Sequence, residues 1–155
     1  MRIGIYSRES IEKLLTGDFP ENTAVISFYD PVNPMTGEKD MPVDYSCKTN
    51  RVFPVAIHDI DLEILPKYGY TYDTFFPEAD DLAEFIYNAY REGLDIICQC
   101  EYGQSRSAAC AAAILEHFYH NGISVFVDYR YYPNQVVFHK VFDALNHLKS
   151  TKYRS

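Results

Sequence analysis

The chain has 155 residues, 47% hydrophobic and 15% aromatic, enough for one packed core and too short for two, so a single domain over 1–155 is expected. A formal charge of −8 and a pI near 5.0 exclude a general basic surface for nucleic acid or anionic membrane, so any affinity for an anion must be local. No apolar run approaches the ~20 residues of a membrane span, and residues 1–5 lead straight into a charged amphipathic segment, unlike a secretory leader, so a cytoplasmic protein is expected.

Residues 2–6 alternate as a strand, and Ser7 offers an N-cap to a helix running to about residue 16, with Ile11, Leu14 and Leu15 on one face and Gly17 ending it. Residues 23–29 favour a strand. Residues 51–57 read as a further strand, in which Pro54 requires an edge or irregular place. Between them, Pro31, Pro34, Gly37 and Pro42 punctuate a loop over 30–50, about 20 residues and long for a compact domain, expected to be a substrate-facing flap or a mobile connection.

After His58-Asp59-Ile60-Asp61 comes a connection containing Tyr68, Tyr70 and Tyr72. Pro77 then opens a helix over 78–92, with Glu78, Asp80 and Asp81 at its positive end and Leu82, Phe85, Ile86, Ala89 and Tyr90 at helical spacing. The short run 94–99 is consistent with a central strand, and the alanine-rich 108–119 segment with a buried helix. Residues 123–127 suggest a short strand or extended connection. Asn134 is placed to cap a last helix, with Val137, Val141, Phe142, Leu145 and Leu148 as its stripe. The sum is an α/β fold: a central, mostly parallel sheet flanked by helices.

Between that strand and that helix lies Cys100-Glu101-Tyr102-Gly103-Gln104-Ser105-Arg106-Ser107. A short loop feeding a helix N-terminus aims backbone N–H groups inward, and the helix dipole adds positive potential, so residues 101–106 form an expected phosphate cradle. Both effects favour a thiolate at Cys100, the candidate nucleophile. Arg106 can hold two phosphoryl oxygens through its planar fork. Gly103 permits a positive φ, and Ser107 brings a hydroxyl toward the sulfur. A Cys and an Arg six residues apart are a weak signal alone; the added glycine and serines, between strand and helix, make it specific.

Cys100 to Ser107 match in full the Cys-x-x-Gly-x-Ser-Arg-Ser signature of the cysteine-dependent protein tyrosine phosphatase superfamily, and the chain resembles its compact dual-specificity-like bacterial branch. His58-Asp59-Ile60, the 78–92 helix and Pro133-Asn134 carry the resemblance over roughly the whole domain. One position departs: Gln99 stands where the family usually has a histidine that braces the loop. The resemblance implies metal-independent, cofactor-free hydrolysis of phosphotyrosine esters, with phosphoserine and phosphothreonine open, through a phosphocysteine intermediate. Its substrates would be phosphorylated proteins or small phosphate esters. It also implies a general acid on a loop after the 51–57 strand, which offers Asp59 first, Asp61 second and Asp73 as an outsider.

Other residues carry weaker signals. Cys98, two residues before Cys100, is expected to be a core residue, with capture of an oxidised Cys100 as its alternative role. Tyr102, Tyr131 and Tyr132 are candidate cleft walls, Glu101 raises the Cys100 pKa if it points inward, and no zinc-ligand spacing is present. The rival readings are a silent phosphate-binding module, a phosphoinositide or inositol phosphate phosphatase, and sulfur transfer or arsenate reduction on a similar cysteine loop. The absence of lysine and arginine from 101–105 counts against the second.

Overall fold

Four strands, β1 (Ile3–Tyr6), β2 (Thr23–Tyr29), β3 (Val52–Ala56) and β4 (Asp95–Gln99), form one parallel sheet in the order β1-β4-β2-β3 in the computed structural model, which describes residues 1–33 and 35–152. Pro34 of the long loop lies outside the described residues. Parallel pairing requires crossovers and cover on both faces, hence the near-continuous apolar character of β2 and β4. Cys98 on central β4 sits level with Ile5 on one side and Ile26 on the other. Pro54 is tolerated because β3 is an edge strand.

One face packs on α2 (Ala79–Arg91), α3 (Arg106–Tyr119) and α5 (Gln135–Lys152). Leu82, Ile86, Ile114 and Leu145 are fully buried there, each contributing about 1.5–3 kcal/mol relative to exposure. The alanines at 108–113 are also fully buried and let α3 lie close between the sheet and α5. The other face is covered by α1 (Arg8–Leu15), capped by the Ser7 hydroxyl, and by the segment carrying Val43 and Tyr45.

Two segments differ from their sequence expectation. Residues 62–68, between the expected strand and helix, form a 3-10 helix (Leu62–Tyr68). Residues 123–126, expected as strand or extended chain, form a short helix, α4 (Ile123–Phe126). The β-favouring side chains find no strand partner. Instead the Gly122 N–H donates to the Glu116 carboxylate at 3.2 Å, and Val125 packs on Ala108 and Ala112.

Away from the sheet edge, Tyr87 bonds His117 Nε2, and His117 Nδ1 lies 2.8 Å from Asn146 Oδ1. Burial lowers the His117 pKa below its ordinary value. The unfolded chain therefore binds the proton more readily, so this contribution is complete above pH ~6.5 and fades as pH falls below it. Denaturant titrations at pH 7.5 and 5.5 should show the loss, and His117→Asn should shrink it.

Candidate active site

All four strands run toward one edge of the sheet, where the loop after β4 emerges between the ends of β1 and β2. The Cys100 N–H donates to the Tyr6 carbonyl at 3.2 Å, and the thiol is 2% exposed, at the floor of the loop. Three of the loop's carbonyls accept hydrogen bonds from beyond it. Glu101 O accepts from Arg8 N–H at 3.0 Å, Gln104 O from Tyr132 N–H at 2.8 Å, and Ser105 O from Asn134 N–H at 3.2 Å and Ala109 N–H at 2.9 Å. Turning the carbonyls outward is the arrangement that aims a loop's N–H groups at its centre. The helix begins at Arg106, two residues before the sequence expectation, so its first N–H groups and dipole belong to the cradle.

Gly103 is required twice. Its φ is +67°, and an added Cβ would lie 2.6 Å from Ser7 N and 2.8 Å from Tyr6 C, backbone atoms of the β1–α1 junction. Gly103→Ala should therefore displace the loop and lower stability by about 1–3 kcal/mol. Denaturation midpoints and phosphate affinity, both reduced, would report it.

Cys100 Sγ and Ser107 Oγ are 3.0 Å apart. Arg106, 4% exposed, donates through one terminal nitrogen to Asp30 Oδ1 at 2.9 Å and to the Ile57 carbonyl at 2.6 Å. Its Nε is buried without a hydrogen-bond partner among the described residues. A buried donor of this kind is costly unless an acceptor joins it, and a phosphoryl oxygen is such an acceptor. Asp30, at the end of β2, was not singled out by sequence. It holds the guanidinium in place and also lies 3.4 Å from His58 Nδ1. The available signal was positional: in a parallel sheet, the polar residue just past each strand converges on the same edge.

Of the three aspartates considered, Asp59 reaches the loop. Its Oδ1 accepts from Ser105 Oγ at 2.8 Å and from Asn134 Nδ2 at 2.8 Å. Asn134 also donates to Ile60 O and caps α5 by accepting from Val137 N–H, so one residue ties the acid-bearing segment to the cradle. Asp61 faces a cleft beside the loop, and Asp73 lines a groove with Tyr72, Lys140 and Asp143, between the start of α2 and α5.

Gln99 requires a correction: replacing histidine does not leave the loop unbraced. Its Oε1 accepts from Ser27 Oγ at 2.6 Å and Tyr45 OH at 2.8 Å, and its Nε2 donates to the Cys100 carbonyl at 3.1 Å. Burial raises the Tyr45 pKa, so its phenol stays a donor. Tyr45 belongs to the 30–50 loop, and with Val43 it packs on the sheet face beside α1. It borders a cleft of about 530 Å³ lined by residues including Ser27, Val43, Val52 and Pro54, and Cys100 is not part of it.

Glu101 and Tyr102 line an open cleft with Ser7, Arg8, Glu9 and Glu12. Gln104 is exposed and fixed by its carbonyl. Cys98 is fully buried, and its hydrogen bond to Cys110, reinforced by burial, raises its thiol pKa well above the ordinary value. Among the described residues no group of three or more His, Cys, Asp or Glu side chains is placed to hold a metal ion, and no helix is long and apolar enough to cross a membrane.

No protein-family model and no curated protein matches the sequence. Solved structures do match the fold. PTPMT1 superposes with a TM-score of 0.53 at 12% identity, over 99% of this chain and 96% of that one. Human DUSP28 gives 0.53 at 13% identity, over 97% and 95%. A leucine rich repeat and phosphatase domain containing protein from Entamoeba histolytica gives 0.50 at 11%, over 97% and 90%. At such identities the likeness is one of architecture, and at that level the resemblance of the loop extends to the whole chain: it has the protein tyrosine phosphatase fold.

Proposed function

We propose that the chain is a cysteine-dependent phosphomonoesterase acting on phosphotyrosine, and on phosphoserine or phosphothreonine where the cleft admits them, in phosphorylated proteins or small phosphate esters. The observation that carries this is the floor of the cradle: a buried thiol 3.0 Å from the Ser107 hydroxyl, in one loop with a buried arginine whose Nε has no partner among the described residues. A site that only binds phosphate needs the arginine and has no use for the thiol.

The Cys100 thiolate attacks phosphorus while Arg106 and the loop N–H groups hold the equatorial oxygens. As the P–O bond breaks, Asp59 gives its proton to the departing oxygen. The Asp59 carboxylate then takes a proton from water, whose oxygen attacks the phosphocysteine. The S–P bond breaks, releasing phosphate, and Ser107 stabilises the returning thiolate. Asp59 is favoured over Asp61 because its bond to Ser105 already places it on the loop.

Phosphate release from an aryl phosphate in EDTA and reductant, between about pH 5 and 8, tests the proposal. A bell-shaped profile, with labelled phosphate trapped on wild-type protein by rapid quench, is expected. Inorganic phosphate bound without any turnover would make the site a silent binding module instead.

A further inference from the structure

The 131–134 segment is fastened to the cradle by two bonds, Tyr132 N–H to Gln104 O and Asn134 N–H to Ser105 O. On the same side, Asp59 binds Ser105, and the chain continues through Asp61 and Glu63 into the 3-10 helix. Between these walls lies a cleft of about 560 Å³, lined by Asp61, Glu63, Phe126, Tyr131 and Tyr132 among others. It adjoins the loop through Tyr132, which lines the cleft and donates to Gln104 O, so a residue next to a phosphorylated one held over Cys100 has this cleft within reach.

The charges of the cleft are unspent. Asp61 occupies the N-cap position of the 3-10 helix yet makes no capping bond, and neither Asp61 nor Glu63 joins an ion pair among the described residues. Arg130, next in the chain to Tyr131, is held by Asp128 through contacts of 3.0, 3.2 and 2.7 Å, with its guanidinium 5.2 Å from the Tyr131 ring centroid. The cleft thus presents two carboxylates beside aromatic rings.

A lysine or arginine side chain fits that combination, with its methylenes along the exposed Tyr132 ring and its cation at the carboxylates. A second phosphate or an acidic side chain would be repelled. We propose that the Asp61–Glu63 cleft is a specificity subsite for a basic residue next to the phosphorylated one, making basic-flanked phosphopeptides the preferred substrates. The proposal rests on the phosphatase function above, with Arg106 Nε marking where the phosphate sits.

The test compares two phosphotyrosine peptides of equal length, one flanked by lysine and arginine and the other by glutamate, with an aryl phosphate that has no charged group besides its phosphate as reference. Wild type should favour the basic peptide in kcat/KM about tenfold at low salt and only about twofold near 0.5 M salt. Glu63→Lys, which leaves Asp61 in place, should bring that ratio to about one or below. A wild-type ratio near one, with the aryl phosphate turned over, would overturn the subsite, as would a preference unchanged in Glu63→Lys. If nothing is turned over, the phosphatase function fails instead. The same comparison, made on peptide affinities by calorimetry, then decides the subsite: preference for the basic peptide supports it, and equal affinity overturns it.

Discussion

Cys100→Ser should lower kcat on an aryl phosphate by roughly 10⁴-fold or more, the scale seen when a nucleophile is removed from a site whose other parts remain. The substitution removes the atom that forms the S–P bond and replaces it with a hydroxyl that stays protonated near neutral pH. It changes little else. The side chain is 2% exposed and nearly the same size, the loop carbonyls keep their outside donors, and Ser107 stays within hydrogen-bond reach. The variant should therefore unfold within about 1 kcal/mol of wild type, still bind inorganic phosphate, and yield no trapped intermediate. Residual turnover within tenfold of wild type would mean that some other group attacks phosphorus.

Arg106→Lys should cost about 10²–10³ in kcat/KM, because a point charge on a flexible stem cannot replace a planar fork aimed at two equatorial oxygens. The guanidinium is held at 2.9 Å from Asp30 and 2.6 Å from Ile57 O, so its Nε direction is set before substrate arrives. Lysine can keep the Asp30 pair but cannot reproduce that direction, and the loss should fall mainly on kcat. Asp30→Ala makes the complementary change, leaving a guanidinium that is 4% exposed without its counter-charge. Stability should drop by about 3 kcal/mol, in the range for breaking a buried pair by removing one partner. Thermal melts beside steady-state kinetics separate the two effects.

The contrast between those residues shows what was legible at each level. Cys100, Gly103, Arg106 and Ser107 are neighbours in the chain, and a loop between strand and helix is a local structure, so their spacing alone pointed to an anion cradle. Helical and strand periodicities are local too, and the order of elements followed from them, down to Ser7 and Asn134 as caps and Pro54 on an edge strand. Of the two segments that differ, 62–68 and 123–126, the second is a place where β-favouring side chains were overruled by packing on α3.

What the tertiary structure alone decided are pairings across long stretches of chain: Arg106 with Asp30, Ser105 and Asn134 with Asp59, Tyr45 with Gln99, and Cys98 with Cys110. Asp59, Asp61 and Asp73 are chemically equivalent in a sequence, and only the path of the backbone after β3 distinguishes them. Gln99 looked like the loss of a brace because its partners, Ser27 and Tyr45, reach it only when β2 and the 30–50 loop close around β4. Local chemistry is written in neighbouring residues and can be read in order. The partners of a buried charge or amide are set by which strand ends the fold brings to one edge, and no spacing along the chain encodes that.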